Sequence, residues 1–261
     1  MSHTDVPTDH RSGFVAVVGQ PNVGKSTLMN ALLGEKLAIV SPRPQTTRDR
    51  QLGILTIPDA QIVFVDTPGI HKPHNDLGRY MLEVASGSIP DADVVVFLVD
   101  AEREPDAADR EIAKSIQRSN AQQVIIALNK IDRVSAGVEE RQRAYHALLP
   151  DVVLLPISAL TGTNLDLLMN AIIGRLPIGP GYYPEDQLTD TFVRDNVAEV
   201  IREQILLLFE DEVPHAVAVQ VEEFKERTEQ LTYISATIFV ERDSQKGIII
   251  GNKGKMLKHV G

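Results

Sequence analysis

Between Gly13 and Arg175 short, β-branched apolar runs alternate with longer segments whose apolar residues recur every three or four positions. The runs at 14–19, 51–57, 61–66, 94–100, 124–129 and 152–156 predict strands, and the segments 26–33, 77–88, 107–118, 136–148 and 165–175 predict helices. Strands separated by helices of this length build a mostly parallel sheet with helices on both faces, an α/β architecture that carries its ligands at the carboxyl ends of the strands. Pro177, Gly179, Pro180, Gly181 and Pro184 then break the pattern and predict a linker over 177–189. Beyond the linker the rhythm is different: a long helix over about 190–209, alternating strands at 216–224 and 231–241, and a close over 247–261, together a smaller α+β unit. The polar first twelve residues predict a disordered tail, with a first domain over 13–176 and a second over 190–261.

Composition narrows the function classes. A chain of 261 residues suits two domains. It carries 26 Lys and Arg against 36 Asp and Glu, a net charge of −10, which excludes a protein that coats nucleic acid through its overall field. A polyanion could bind only a locally basic surface. Such a stretch exists from Ser244 to Gly261, where Lys246, Lys253, Lys255 and Lys258 stand with no acid among them. The absence of cysteine excludes a disulfide framework, a Cys-ligated zinc site and a thiol nucleophile, and agrees with a reducing compartment. No run approaches the ~18 apolar residues of a membrane-spanning helix. A cytoplasmic location is expected.

The chemistry begins where the first strand runs into Gly19-Gln20-Pro21-Asn22-Val23-Gly24-Lys25-Ser26-Thr27, which satisfies G-x-x-x-x-G-K-[ST] between a strand and a helix. Gly19 and Gly24 let the backbone wrap a phosphate so that the N–H groups around Val23 and Gly24 point at it. Lys25 brings positive charge to the β and γ phosphates, Ser26 offers a hydroxyl to Mg²⁺, and Thr27 adds a hydrogen bond nearer the α phosphate. A glycine-containing turn with a surface lysine is the plain alternative, and the strand-to-helix setting disfavours it. After the fifth strand comes Asn129-Lys130-Ile131-Asp132, and after the sixth Ile157-Ser158-Ala159. The Asp132 carboxylate can accept from guanine N1–H and its 2-amino group, a donor pair that adenine lacks. The Lys130 stem can cover the base, Asn129 can tie this loop to the phosphate loop, and the Ala159 N–H can donate to O6. Guanine is therefore expected over adenine.

Asp66-Thr67-Pro68-Gly69 ends the third strand. Asp66 is expected beside Mg²⁺ and the Gly69 N–H at the γ phosphate, although an ordinary strand-ending turn would also suit this sequence. The polar, proline-containing segment 37–50 predicts a loop that orders on Mg²⁺ and the γ phosphate, with Thr47 as the ligand and Thr46 the alternative. Ile70 stands where many GTPases carry a water-orienting glutamine. An aliphatic side chain cannot polarise water, so hydrolysis is expected to be slow or to draw on another group, a monovalent cation or a partner. No basic residue announces itself as an arginine finger, although Arg43, Arg48 and Arg50 lie in the right loop, and His71 and His74 read as solvated loop residues.

Together G-Q-P-N-V-G-K-S-T, Gln45-Thr46-Thr47-Arg48, D-T-P-G-I, N-K-I-D and I-S-A resemble the Era-type GTPases, a class in which a hydrophobic residue replaces the glutamine. Glu212-Val213-Pro214-His215, the strand ending Val221-Glu222-Glu223-Phe224 and the segment 247–261 are similar to that family's C-terminal KH domain, so the resemblance covers residues 12–261. It implies a P-loop GTPase domain followed by a smaller, type II-like KH domain. It also implies phosphate and Mg²⁺ contacts at Gly24, Lys25, Ser26 and Thr27, and a guanine pocket of Asn129, Lys130 and Asp132 closed by Ser158 and Ala159. Asn22 occupies the position that coordinates K⁺ in potassium-activated relatives, so Asn22, Lys25, Thr47 and Gly69 are the groups expected to serve hydrolysis. Gly251-Asn252-Lys253-Gly254 is the G-x-x-G with which KH domains clamp about four unpaired nucleotides. Lys253, Lys255 and Lys258 are its expected phosphate contacts.

The family binds the 3′ end of 16S rRNA, more readily in the GTP state, and serves assembly of the 30S subunit. The same partner, a monomeric protein and peripheral contact with the inner face of the cell membrane are the expectations carried over. The rival reading is a GTPase whose second domain binds a protein or a membrane surface. KH domains of this type continue past the G-x-x-G helix to a further strand and helix, so with an end at Gly261 a truncated or partly represented domain is expected, and a sheet edge is exposed only if those residues are missing.

Overall fold

The computed structural model describes residues 9–35, 51–66, 92–119, 121–189, 193–209, 213–228 and 231–261, and these divide into two units, 9–189 and 193–261. The expected helix at 77–88 and the tail residues 1–8 lie outside the described residues.

The first unit is built on a six-stranded sheet in the order β2-β3-β1-β4-β5-β6. Its strands are β1 (Arg11–Val18), β2 (Gln51–Ile57), β3 (Ala60–Asp66), β4 (Val94–Asp100), β5 (Val124–Asn129) and β6 (Val153–Pro156). Every residue of β4 is buried, as a central strand covered on both faces requires. Val15 and Val17 point to one face, where α1 (Lys25–Leu33) brings Leu28 and Met29 and α4 (Leu165–Ile173) brings Leu168 and Ile172. Ala16 and Val18 point to the other, against Ile112 and Ile116 of α2 (Ala107–Arg118) and Tyr145 of α3 (Val138–His146). The period-2 alternation along one strand thus feeds two cores.

The structure sharpens three expectations. The mostly parallel sheet has one antiparallel pair, β2 and β3, because only Pro58 and Asp59 separate them and so short a link permits nothing else. The tail does not reach residue 12. Arg11 and Ser12 already belong to β1, and the Ser12 N–H donates to the Pro177 carbonyl (3.1 Å) while Gly179 N–H donates to the His10 carbonyl (2.9 Å). The segment 177–189 lies against the sheet. The buried Gln61 amide accepts from the Tyr182 (2.6 Å) and Tyr183 (2.9 Å) N–H groups, and Ile54 N–H donates to the Leu188 carbonyl (2.8 Å). Proline and glycine keep this segment out of helices and strands, but its backbone groups still need partners, and the sheet supplies them.

The second unit packs an antiparallel hairpin, β7 (Val217–Thr228) and β8 (Leu231–Val240), against α5 (Val193–Leu208), α6 (Asp243–Ile250) and α7 (Lys255–Val260). Its core joins Ile205, Phe209, Val213, Val217, Ile249 and Val260. Among the described residues no helix is long and apolar enough to cross a membrane.

Candidate functional site

Three loops meet at the carboxyl ends of β1, β5 and β6. The first, leaving β1, is shaped by its glycines: a Cβ on Gly19 would lie 2.3 Å from the Leu98 carbonyl oxygen, and Gly24 sits at φ 101 at the start of α1. Asn22, exposed between them, adopts φ 63, a left-handed conformation that asparagine tolerates better than most side chains. Among the described residues no side chain caps α1, so the dipole at its N-terminus remains directed at the loop. Lys25 is buried and curls back over the loop, its Nζ donating to the carbonyls of Gln20 (2.9 Å) and Gly19 (3.2 Å). Val23 is buried beneath, with Ser26 and Thr27 half-buried in the first turn.

Asn129, at the end of β5, joins all three loops. Its Nδ2 donates to the Val23 carbonyl (2.8 Å) and its Oδ1 accepts from the Ala159 N–H (2.9 Å). The expected tie to the phosphate loop is therefore present. The expected free Ala159 N–H is not: the buried Asn129 carbonyl takes it, so any bond to guanine O6 must share that donor. Ser158, fully buried, accepts from Thr161 N–H (3.1 Å) and donates to Asp132 Oδ1 (2.5 Å), which orients an otherwise exposed carboxylate. Lys130, at φ 68, sends its Nζ to Asp100 Oδ2 (2.5 Å) and to within 3.6 Å of Glu102. The backbone of Asp66 ends β3 opposite Val17, just before the phosphate loop. Thr47, Thr67, Pro68 and Gly69 lie outside the described residues, as do Arg43, Thr46, Arg48, Arg50, Ile70, His71 and His74.

In the second unit, Gly251, Asn252, Lys253 and Gly254 form a turn between α6 and α7, with Gly251 at φ 67, Lys253 at φ 52 and Gly254 at φ 75. A Cβ on Gly251 would lie 2.6 Å from Met256 Cγ. Asn252, Lys253, Lys255 and Lys258 are all exposed. The flank is less apolar than its sequence suggests, since Ile249 and Met256 turn into the core and leave Ile248, Ile250 and Leu257 at the surface.

Comparison with known proteins is specific. A family model described as a 50S ribosome-binding GTPase matches residues 14–130, and a KH domain model matches residues 212–261. GTPase Era from Halothermothrix orenii is 52% identical over 97% of this chain and 85% of its own length; that from Geotalea daltonii is 50% identical over 96% and 84%. The chain belongs to the Era family of GTPases. Solved Era structures agree. Era in complex with MgGDPNP and nucleotides 1506–1542 of 16S ribosomal RNA superposes at a TM-score of 0.91, with 42% identity over 97% of this chain and 86% of that one. An Aquifex aeolicus Era variant bound to GDP and AlF4⁻ also gives 0.91, at 41% identity over 96% and 86%.

Sequence reasoning missed one network of this Era-family GTPase domain. The Gln20 side chain donates to Asp106 Oδ1 (2.7 Å) and accepts from Arg103 (3.2 Å), tying the shoulder of the phosphate loop to the N-terminus of α2. Asp106 caps that helix in a reciprocal box with Asp109. Burial works to raise the Asp106 carboxyl, but the Asp109 and Ala108 N–H groups, Gln20 and Arg103 together hold it below its usual value. The D-x-x-D spacing after Pro105 was the available signal for the cap; nothing local announced its bond to Gln20.

Asp109 behaves in the opposite way. It is fully buried, with Tyr145 Oη donating to its Oδ2 (3.4 Å) and Oδ1 without a hydrogen-bond partner among the described residues, and burial raises its carboxyl above the usual range. Burial, with Asp109 beside it, also pushes the Tyr145 phenol up. A carboxyl raised on folding contributes stability that is complete below its unfolded value and lost as pH rises through the folded one. Asp109→Asn removes that loss, so thermal unfolding at pH 4.5 and 7.5 should show the variant gaining on the parent protein at the higher pH.

Proposed function

We propose that this GTPase binds GTP and Mg²⁺ in its first unit and, in that state, the 3′ end of 16S rRNA through the G-x-x-G turn of its second, as a switch in assembly of the 30S subunit. The observation that carries this reading is similarity over 97% of the chain to an Era captured with both a GTP analogue and that RNA. The cradle fits a phosphate: Gly24 leaves room for Asn129 to hold the loop, the N-terminus of α1 favours an anion, and Lys25 lies over the loop. Lys25 neutralises phosphate charge, Ser26, Thr47 and Asp66 serve as metal ligands, and Thr27, Thr67, Pro68 and Gly69 complete the phosphate contacts. Mg²⁺, when bound, supplies further charge neutralisation. Asp132, oriented by Ser158, reads the guanine edge.

Filter binding of the full chain to a single-stranded RNA of the 1506–1542 region, with GDP and with a GTP analogue, tests the RNA half. Tighter binding with the analogue is expected; no binding in either state sinks it. The four lysines after Ser244 set the salt dependence, with a log–log slope of about −3 for a single strand. The same titration on anionic vesicles addresses peripheral membrane contact, which rests on the family resemblance alone.

Ile70 leaves no glutamine to orient water, and Asn22 sits exposed on the phosphate loop with its side chain available to a cation. K⁺ at Asn22 is proposed to supply positive charge during hydrolysis. GTP turnover should be several-fold faster in KCl than in matched NaCl, with the difference lost in Asn22→Ala. Equal rates in the two salts count against the cation.

A further inference from the structure

We propose that Asp100, at the carboxyl end of β4, is a positioning residue for the nucleotide site: its carboxylate holds the Lys130 ammonium and thereby presets the Lys130 stem for the base. The inference rests on the guanine reading of the N-K-x-D loop and adds to it a residue outside every motif.

Asp100 is buried, and its place is determined before any side chain acts. It pairs in register with Asn129 across β4 and β5, and the next residue's N–H, that of Ala101, donates to the Asn129 carbonyl (2.8 Å). The two carboxylate oxygens divide their work. Oδ1 accepts the Glu102 N–H (2.9 Å), which fixes the rotation of the group, and Oδ2 receives Lys130 Nζ (2.5 Å). Glu102 adds a second carboxylate 3.6 Å from the same ammonium and equally far from Arg133. At the other end of the side chain, the Lys130 backbone is held at φ 68, between β5 and the short 3₁₀ turn that carries Asp132. A lysine stem anchored at both ends has few conformations left. A free one would lose its rotamer freedom on covering a base, a cost equivalent to about ten- to thirtyfold in affinity. Asp100 meets that cost in advance, and since the base is common to both nucleotides, GDP and GTP should benefit equally.

Asp100→Asn separates this role from a merely structural one. The amide keeps its Oδ1 to accept from Glu102 and loses the charge that draws Lys130. Lys130→Met provides the partner variant, keeping an unbranched stem without the ammonium. The test is a double-mutant cycle on the full chain, read as release of a fluorescent GDP and as KM and kcat for GTP. Asp100→Asn should release GDP about tenfold faster and raise KM about tenfold, with kcat at saturation changed less than about twofold. Lys130→Met should behave similarly, and the double variant no worse than either. Unchanged release in Asp100→Asn overturns the proposal, as do effects that multiply in the double variant, or a fall in kcat and melting temperature without faster release. A parent chain that holds ADP as tightly as GDP instead sinks the guanine reading, and the comparison of the parent protein alone reveals it.

Discussion

Replacing Asp132 with asparagine should move the preference of the site from guanine to xanthine nucleotides. Guanine presents N1–H and a 2-amino group, two donors, to the carboxylate, and charge-assisted bonds of this kind contribute about 1.5–3 kcal/mol each. Losing them weakens GTP by about 10²- to 10⁴-fold. The direction of the switch is set by Ser158, whose hydroxyl donates to Asp132 Oδ1 (2.5 Å). An asparagine at this position keeps its oxygen on Ser158 and turns its NH₂ outward, a donor where the parent protein offers an acceptor. Xanthine carries a carbonyl at the same carbon and accepts it. Because Asp132 is exposed, the fold should not suffer, so unfolding temperature stays level while nucleotide titrations exchange GTP for XTP. Unaltered GTP affinity, or a gain of ATP, defeats the assignment of Asp132.

Much of this site could be read from the chain because its parts are local. The two glycines, Lys25 and Asp132 declare themselves by spacing, since a loop that wraps a phosphate or reads a base edge is built from consecutive residues. Elements were legible for the same reason: α2 begins and ends where its 3.6-residue period does, and β4 is continuous apolar chain up to Asp100. What escaped reading depends on residues far apart in sequence. Gln61, a polar residue at the head of a predicted strand, is buried because it binds the backbone of Tyr182 and Tyr183, 121 and 122 positions away. The prolines and glycines of 177–189 forbid regular structure but say nothing of where the segment lies. Gln20 and Asp106 are separated by 86 positions, and only folding makes them neighbours. The Ala159 N–H shows the same limit from inside a motif, because its bond to Asn129 required the geometry of two loops at once.

That dependence of one loop on another makes Gly24 the position where the smallest change should do the most damage. Gly24→Ala is expected to abolish measurable GTP binding while leaving the protein folded. Gly24 lies at φ 101, where an L-residue is strained by about 1–3 kcal/mol. For a domain of this size that lowers the melting temperature by about 2–12 °C. The effect on the ligand is larger because of where the methyl group points. It would lie 2.5 Å from Asn129 Nδ2, so the amide must leave the Val23 carbonyl, and the phosphate loop loses its tie to the base loop. The N–H groups at the start of α1 shift with it. Two misplaced charge-assisted donors already weaken a phosphate by about 10²- to 10⁴-fold. Gly34→Ala is the control: that glycine ends the same helix at φ 72, with nothing among the described residues within 4 Å of its would-be Cβ. It carries the backbone strain without the collision. Gly34→Ala should therefore melt early and bind GTP normally, whereas Gly24→Ala should melt early and not bind. Equal binding by the two variants means that Asn129 can give way without cost, and the loop is then less tightly coupled than its hydrogen bonds imply.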